Sequence, residues 1–396
     1  MTQKYAILIM DGAAGWPLKD RANKTTLELA HTPYLDALVK EGRLGMTNNV
    51  PSGMEPSSAI ACMSLLGYDP KIYYKGRAAI EAVSMGVDVA QDEVVFRCNL
   101  VAVKTGRMWS YCAGHISDAE AEELIDALNT QLGSDQVHFY NGVGYRHLLK
   151  IKGLSETARA ACTPPHDIPS KPIADFLPQG RGSTFLKELM KRSEDVLRDH
   201  RVNYERIARG EVPATTIWPF WGSGPIPPTP TFKEQHGLTA AMTSGVDLLR
   251  GLGLMTGMTI LDIPGVTDNN DNDFALQARG ALGALKEHDL VVIHVEAPDE
   301  AGHSGKPDDK IAAIEKIDTL MVSQLSQTSG LRLLVLPDHP TPVASQTHAS
   351  EPVPFLMWGP GFTSNKGRRF TEAEAKGTGV SITNGYNIIG ELIQQS

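Results

Sequence analysis

The chain has 396 residues, of which 41% are hydrophobic and 21% charged, and these values are typical of a globular protein with a large core. Its formal net charge of −9 argues against a general attraction to nucleic acid or to an anionic membrane surface. No apolar run approaches ~20 residues, so no membrane span is predicted. The four cysteines stand singly, and we therefore expect reduced thiols, a cytoplasmic protein and no sulfur-ligated metal.

The N-terminal part is predicted to form one strand followed by two helices. The apolar run 5–10 indicates a strand buried on both faces rather than a signal peptide, and Asp11 follows it at once. A helix is predicted over 33–41, with Thr32 as its N-cap and Pro33 in its first turn. A second, small and apolar helix is predicted from the Pro-Ser-Ser sequence at 56–58 up to Gly67.

The middle of the chain differs in character from its flanks. Short alternating runs at 94–103, 108–111, 137–140 and 145–151 indicate strands, and an acidic helix is predicted after Ser117. Strands that follow one another without long helical crossovers favour an antiparallel sheet. We therefore predict that residues 93–180 form one inserted α+β domain, and that residues 1–92 and 181–396 together form the core domain.

Helical patterns and buried strands alternate through most of the remaining chain. After a helical stretch from 184 to about 205, strands are predicted near 258–263, 290–295, 331–336 and 353–358. This alternation is typical of a doubly wound α/β fold with a mostly parallel sheet.

Three of the apolar runs are followed by carboxylates and histidines. Asp11 follows the first run, Asp299 and His303 follow the run 290–295, and Asp338, His339 and His348 follow the run 331–336. Because open parallel sheets bind ligands at the carboxyl ends of their strands, these six side chains are predicted to form a binuclear metal site. Oxygen and imidazole ligands without sulfur suit Mn²⁺, Zn²⁺ or Mg²⁺.

A two-metal site can ionise a hydroxyl at neutral pH, and a serine at a helix N-terminus is the natural nucleophile for a phosphoryl group. Ser57 and Ser58 are the two candidates, and helix capping is the structural alternative for either. Asp299 and His303 are four residues apart, which places them on one face of a helical turn, although Pro298 and Gly302 are also compatible with a loop.

Five motifs across nearly the whole chain are shared with a known family. They are Met-Asp-Gly at 10–12, Leu-Leu-Gly-Tyr-Asp-Pro at 65–70, Tyr-Tyr-Lys-Gly-Arg at 73–77, Glu-Ala-Pro-Asp-Glu-Ala-Gly-His at 296–303 and Leu-Pro-Asp-His-Pro at 336–340. With this set the chain resembles the cofactor-independent phosphoglycerate mutases, in their shorter archaeal-type branch within the alkaline phosphatase superfamily. The resemblance implies a core of alkaline-phosphatase type and a phosphoserine enzyme with two divalent ions, most often Mn²⁺, and no bisphosphoglycerate cofactor.

The resemblance also implies how the residues divide between the ions. One ion would be held by Asp299, His303 and His348, and the other by Asp11, Asp338, His339 and the nucleophilic serine. Counting back from the motif at 65–70 places that serine at Ser58. The branch commonly has Pro-Gly-Ser-Asp where this chain has Pro-Ser-Ser-Ala at 56–59, so the choice between Ser57 and Ser58 stays open in the sequence.

The expected reaction is the interconversion of 3-phosphoglycerate and 2-phosphoglycerate, with the inserted domain as a lid that keeps water from the phosphoserine. The substrate's phosphate and carboxylate need cations and donors, for which the candidates are Arg77, His115, Arg146, and His166 with Asp167. The partner is thus a small phosphorylated metabolite, and the sequence does not indicate an oligomeric state.

Two segments point to alternative acceptors. The sequences Ser-Tyr-Cys-Ala-Gly-His-Ile-Ser at 110–117 and Cys-Thr-Pro-Pro-His-Asp-Ile at 162–168 resemble a subgroup of the branch proposed to act as a homoserine kinase. Phosphoryl transfer to homoserine or a related alcohol is therefore one alternative. A metal-dependent phosphomonoesterase is a second, and a non-catalytic metal or metabolite binder is a third.

Overall fold

The computed structural model describes residues 3–394 and has two compact units. The first unit combines the described residues up to Tyr74 with those from Pro228 onward, and the second unit is Lys75–Pro227. Among residues 3–394, no helix is both long enough and apolar enough to cross a membrane.

The strands and helices of both units are numbered here in chain order. The strands are β1 (Lys4–Met10), β2 (Arg43–Thr47), β3 (Glu93–Lys104), β4 (Arg107–Ser110), β5 (Val137–Val143), β6 (Arg146–Lys152), β7 (Thr216–Ser223), β8 (Ala240–Thr243), β9 (Thr259–Ile260), β10 (Leu290–Val295), β11 (Leu331–Leu336), β12 (Val353–Trp358) and β13 (Ser381–Ile382). The helices are α1 (Thr26–Leu29), α2 (Pro33–Glu41), α3 (Ser58–Leu65), α4 (Pro70–Tyr73), α5 (Arg77–Ser84), α6 (Asp118–Leu132), α7 (Ser183–Arg198), α8 (Arg201–Ala208), α9 (Phe232–His236), α10 (Asp247–Met255), α11 (Phe274–Ala284), α12 (Ala297–His303), α13 (Pro307–Ile317), α14 (Ser323–Leu325), α15 (Glu372–Gly377) and α16 (Ile388–Ile393).

The first unit is built on one sheet with the strand order β13-β2-β12-β11-β1-β10-β8-β9. Strands β11, β1, β10, β8 and β9 run parallel, whereas β12 runs antiparallel to both of its neighbours. The three central strands are buried along nearly their whole length, which explains their continuous apolar sequences. The predicted α/β fold with a mostly parallel sheet is confirmed.

The register of the central strands brings their carboxyl ends to one edge. Met10 pairs with Val295, and Ile9 pairs with Leu336. The residues that follow these three strands are therefore level with one another across the sheet. This edge is where the predicted metal ligands lie.

The helix predicted over 33–41 is α2, but its cap differs from the prediction. Thr32 occupies the N-cap position, yet in the described chain its hydroxyl makes no hydrogen bond to a helix N–H. The backbone N–H groups of Tyr34 and Leu35 instead donate to the carboxylate of Asp318, at 3.1 and 2.7 Å. A carboxylate distant in sequence thus replaces the local hydroxyl as the cap.

The second unit contains an antiparallel sheet with the order β4-β3-β6-β5, and β7 pairs with the long strand β3. Helices α6 and α7 pack on this sheet and enclose its core. The unit extends beyond the predicted boundaries, 93–180, on both sides. The reason is that β7 joins the sheet and α5 packs on β3 and β7, which brings residues 75–92 and 181–227 into the same unit.

Candidate metal centre

Asp11 directly follows β1 at the carboxyl edge of the first unit's sheet. Its backbone N–H donates to the carbonyl of Val295 at 3.0 Å, which continues the pairing with β10 by one residue. Its side chain is fully buried. The strand pairing therefore fixes where this carboxylate enters the site.

Gly12 makes the turn after Asp11 possible. Its φ is +59°, in the left-handed region that side chains disfavour. A Cβ at this position would collide with the Asp299 carboxylate and would lie 2.6 Å from the hydroxyl oxygen of Thr341. The turn after β1, helix α12 and the loop after β11 thus approach one another closely at a glycine.

One group of candidate ligands contains Asp299, His303 and His348. Asp299 and His303 both lie on α12, so their four-residue spacing places them on one helical face, as the sequence allowed. Asp299 Oδ2 is 3.0 Å from His303 Nε2 and 3.7 Å from His348 Nε2. The two imidazole Nε2 atoms are 2.9 Å apart. The structure therefore brings this predicted trio together.

The second group contains Asp11, Asp338 and His339, all of them buried. His339 Nε2 lies 3.2 Å from Asp338 Oδ2 and 3.6 Å from Asp11 Oδ1. The rings of His339 and His348 have centroids 4.2 Å apart, so the two groups are adjacent. His339 lies between them, and its ring also shares a potential ligand set with Asp299 and His348.

Two adjacent serines at the start of α3 have different surroundings. Ser57 is the N-cap residue, and its hydroxyl oxygen accepts a hydrogen bond from the N–H of Ile60 at 3.4 Å. Ser58 is the first helical residue, and its Oγ lies 3.2 Å from His339 Nε2. The Ser58 side chain therefore faces the cluster, whereas the Ser57 side chain caps the helix.

Carboxyl groups are concentrated at this edge of the sheet. Burial and the carboxylates of Asp338 and Asp299 raise the pKa of Asp11 well above its usual range. Burial, Asp11 and Asp299 do the same to the pKa of Glu296. Burial acts in that direction on Asp299 too, but the neighbouring imidazoles of His303 and His348 outweigh it and hold its pKa well below the usual range.

The chain's donor atoms fit divalent cations. Asp11 Oδ1 is buried and finds no hydrogen-bond partner within residues 3–394. In the first group the Asp299 Oδ2, His303 Nε2 and His348 Nε2 atoms lie within 3.7 Å of one another. In the second group one ligand atom each of Asp11, Asp338 and His339 lies within 4.8 Å of the others. Burial and the nearby Asp338 raise the pKa of the Cys62 thiol well above its usual range, which keeps it protonated and leaves an oxygen and nitrogen ligand set. Such a set suits Mn²⁺, Zn²⁺ or Mg²⁺.

Three polar residues at this edge were not singled out from the sequence. His294 lies in β10 with its Nε2 2.7 Å from Asp11 Oδ2. Glu296 follows that strand, and its Oε2 lies 3.6 Å from His294 Nε2. The hydroxyl of Thr341 donates to the Asp299 carboxylate. His294 could have been noticed in the sequence as a histidine inside an otherwise apolar strand.

The predicted substrate-binding residues all lie in the second unit, where aromatic rings connect them. The Arg77 guanidinium stacks over the ring of Trp221, 4.5 Å from its centroid. The ring of His166 packs edge-on against the same Trp221, with centroids 5.6 Å apart. Tyr145 has His115 on its ring edge, at 6.4 Å between centroids, and the Arg146 guanidinium 5.9 Å from its centroid.

Tyr111 links the two halves of this aromatic row. Its ring is 6.4 Å from that of His166 and 6.0 Å from that of Tyr145. Asp167 is exposed and its Oδ1 is 3.8 Å from His166 Nε2, too far for a hydrogen bond. The structure thus gathers Arg77, His115, Arg146 and His166 along one row, while Asp167 lies at its margin.

Comparisons with known proteins agree with this arrangement. A family model described as 2,3-bisphosphoglycerate-independent phosphoglycerate mutase matches residues 39–203. A protein of that name from Methanosarcina barkeri is 44% identical, covering 99% of each chain. A cofactor-independent phosphoglycerate mutase structure from Thermoplasma acidophilum matches with a TM-score of 0.67 and 25% identity over 99% of both chains. A structure from Pyrococcus horikoshii matches with a TM-score of 0.83 and 26% identity, covering 99% of this chain and 97% of the other.

The identity to the Methanosarcina barkeri protein extends over essentially the full length of both chains. The matched region therefore spans both units of the structure. The resemblance seen in the sequence motifs is confirmed: the chain belongs to the family of 2,3-bisphosphoglycerate-independent phosphoglycerate mutases.

Proposed function

We propose that this protein interconverts 3-phosphoglycerate and 2-phosphoglycerate through a phosphoserine at Ser58, without a bisphosphoglycerate cofactor. The observation that carries the proposal is the position of Ser58 Oγ, 3.2 Å from His339 Nε2. It is a hydroxyl at a helix N-terminus that faces two groups of metal-ligand type. The names of the full-length relatives support the choice of substrate.

Two divalent ions belong to this proposal. Asp299, His303 and His348 would hold one, and Asp11, Asp338, His339 and Ser58 would hold the other. When bound, such ions neutralise charge on a phosphoryl group and lower the pKa of a neighbouring hydroxyl. Mn²⁺ is the ion that we expect, with Zn²⁺ and Mg²⁺ as alternatives because their ligand sets overlap.

With Ser58 as the nucleophile, the reaction consists of two phosphoryl transfers that together consume no other reactant. Ser58 Oγ attacks phosphorus in 3-phosphoglycerate; the Oγ–P bond forms as the bond from phosphorus to the C3 oxygen breaks, and the serine proton ends on that oxygen. Glycerate then turns, so that its C2 hydroxyl faces the phosphoserine. Attack by that hydroxyl breaks the Oγ–P bond and returns a proton to Ser58. The N-terminus of α3 favours the negative phosphoryl group throughout. Neither water nor a second substrate is consumed.

The second unit supplies the groups that an anionic substrate needs. We assign the substrate's phosphate or carboxylate to Arg77, Arg146, His115 and His166, and we assign Asp167 a minor role beside His166. All four cationic or imidazole groups contact aromatic rings, which restricts their orientation. We also propose that the predicted insertion, 93–180, acts as a lid that keeps water from the phosphoserine while glycerate turns.

The test is a mutase assay on the purified, Mn²⁺-loaded protein. It receives 3-phosphoglycerate with no bisphosphoglycerate and no nucleotide, and ³¹P NMR follows the 2-isomer. Appearance of 2-phosphoglycerate at equilibrium with its isomer supports the proposal. Steady release of inorganic phosphate from simple phosphomonoesters would instead indicate a phosphatase.

A second arm of the assay addresses the alternative acceptor. The same protein receives ATP and homoserine, and phosphohomoserine is measured. Turnover that requires ATP and homoserine, with none from 3-phosphoglycerate alone, would overturn the mutase assignment.

A cytoplasmic location is also part of the proposal, since within the described chain all four cysteines are free thiols.

A further inference from the structure

His294 is a polar residue inside the apolar core strand β10, and only 1% of its surface is exposed. Its Nε2 lies 2.7 Å from Asp11 Oδ2, and its Nδ1 lies 3.0 Å from Ser244 Oγ. Ser244 directly follows the neighbouring strand β8 and is also buried. A buried histidine is thus connected at both ring nitrogens, one of them to a candidate metal ligand.

The surrounding hydrogen bonds favour one tautomer of His294. An ionised Asp11 carboxylate can only accept, and Ser244 Oγ, which accepts the N–H of Val246 at 3.0 Å, can donate its own O–H to His294 Nδ1. With Nδ1 accepting, a neutral imidazole carries its proton on Nε2. That N–H points to Asp11 Oδ2 at 2.7 Å and not to Glu296 Oε2 at 3.6 Å. The carboxylate of Asp11 is therefore the acceptor.

The strand segment that carries the ring is also held. The side-chain amide of Gln277 donates to the carbonyl of His294 at 3.0 Å. Gln277 in turn accepts from the amide of Asn272 at 2.9 Å. These bonds restrict the backbone at His294, so that the direction of its Nε2–H is set by the fold.

The bond to Oδ2 leaves the other carboxylate oxygen of Asp11 for the metal centre. Asp11 Oδ1 is buried, lies 3.6 Å from His339 Nε2, and has no hydrogen-bond donor among residues 3–394. We propose that His294, oriented by Ser244, is a positioning residue that holds the Asp11 carboxylate so that Oδ1 alone faces the cation shared with Asp338 and His339. This inference rests on the proposed metal centre. Hydrogen bonds from outside a metal site typically fix ligand orientation and contribute about 10–100-fold in metal affinity.

The test measures binding of Mn²⁺ alone to the apoprotein by EPR, without substrate, in two His294 variants. His294→Gln keeps an N–H donor that can reach Asp11, and His294→Leu fills the space without a donor. We expect His294→Leu to weaken one of the two Mn²⁺ sites by roughly 10-fold or more and His294→Gln to stay near the wild type. Ser244→Ala, which changes less of the core, is expected to weaken the same site to a smaller extent.

Urea unfolding of the apoproteins separates this role from a structural one. For a positioning role, we expect the free energy lost in Mn²⁺ binding to exceed the free energy lost in unfolding. His294→Leu with wild-type affinity at both sites would overturn the proposal. Equal weakening in the Gln and Leu variants would overturn it as well. If His294→Leu does not fold, Ser244→Ala decides: unchanged Mn²⁺ affinity in that variant overturns the proposal.

Failure of the proposed function is distinguishable from failure of this inference. A wild-type protein that binds two Mn²⁺ ions but does not act on phosphoglycerate would overturn the function and still allow the comparison of His294 variants. A wild-type protein that binds no Mn²⁺ would overturn the metal centre and the role of His294 together.

Discussion

Ser58 Oγ and His339 Nε2 lie 3.2 Å apart, although 281 positions separate the two residues in the chain. The contact joins the N-terminus of α3 to the loop after β11. The neighbouring Ser57 side chain is engaged with the N–H of Ile60 instead. One residue of difference at the helix start therefore separates a capping hydroxyl from a hydroxyl that faces the cluster.

The two serines give a matched pair of variants. Ser58→Ala is expected to lower kcat by about 10³-fold or more, because the phosphoryl acceptor is lost. Ser57→Ala is expected to keep kcat within about twofold and to lose roughly 1 kcal/mol of stability with the cap. Mutase assays and urea unfolding of both proteins measure these effects. Ser58→Ala with wild-type kcat would exclude Ser58 as the nucleophile.

A glycine pair tests how closely the ligand loops must approach. In Gly12→Ala the new Cβ collides with Asp299 and Thr341, so we expect lower stability and a loss of bound Mn²⁺. Gly330 has a similar positive φ, +73°, but no atom of the described chain lies within 4 Å of its Cβ position. We therefore expect backbone strain alone to lower the stability of Gly330→Ala, by about 1–2 kcal/mol, and we expect this variant to keep its full metal content. Metal analysis and thermal unfolding distinguish them. Full Mn²⁺ content in Gly12→Ala would show that the approach is not required.

Much of the first unit's sheet could be predicted from the sequence, since β1, β10 and β11 are buried on both faces and their apolar runs are continuous. The edge strand was harder: β9 covers only Thr259–Ile260, where the pattern predicted 258–263. The antiparallel direction of β12 is not encoded in its pattern either, because direction depends on which strands it pairs with. Which strands pair depends on contacts between residues that are far apart in the sequence.

The second unit and the candidate metal centre also depend on contacts between residues that are distant in the sequence. Strand β7 pairs with β3 across more than a hundred residues, so the sequence did not reveal that β7 joins the insertion's sheet and brings residues 181–227 into the second unit. The six aspartates and histidines of the centre could be predicted because each follows a buried strand. His294 could not be assigned a role, because a polar residue inside a strand gives no indication of which strand end its ring will reach.

An arginine pair tests the proposed substrate contacts of the second unit. Arg77 is stacked on Trp221 and we expect Arg77→Gln to raise the KM for 3-phosphoglycerate by about 10-fold or more, because a charge-assisted contact to an anion is lost. Arg181 is exposed in the same unit and pairs only with Glu156 in the described chain, at 3.3 Å, so Arg181→Gln is the control. Steady-state kinetics give both values. Equal KM values for the two variants would remove Arg77 from the substrate site.

Removal of the metal is expected to lower both activity and stability. Without cations, burial and neighbouring carboxylates raise the pKa values of Asp11 and Glu296 well above their usual range. Restoring an ion at 100 times its Kd adds about 2.7 kcal/mol of stability per site. We therefore expect chelation to lower the Tm and Mn²⁺ to restore it.

Variants that lack one carboxylate test how many ions the protein binds. Asp299→Asn and Asp338→Asn are each expected to bind one Mn²⁺ where the wild type binds two, by metal analysis after dialysis. The exposed Asp309, which lies 3.6 Å from Lys306, provides the control Asp309→Asn, with two ions. Two ions in Asp338→Asn would contradict the assignment of that residue.

The pH dependence of the second unit's stability is expected to depend on His147. This side chain is buried in β6; its Nδ1 accepts the N–H of Gly142 at 3.1 Å, and its Nε2 has no partner in the described residues. Burial, assisted by the nearby Arg97, lowers the pKa of His147 from 6.5 to about 3. Because the folded state resists protonation, the unfolded state binds the extra proton between those two values, and stability is lost as the pH falls below 6.5.

By pH 5 this loss amounts to about 2 kcal/mol relative to pH 7. In His147→Asn the amide oxygen can accept the same N–H from Gly142 but does not titrate, so this component of the pH dependence should disappear. Urea unfolding of both proteins at pH 5 and pH 7 measures the difference. If both lose the same stability between the two pH values, the pKa of His147 is not lowered in the folded protein, and its Nδ1 must then give up the hydrogen bond from Gly142 to take the proton.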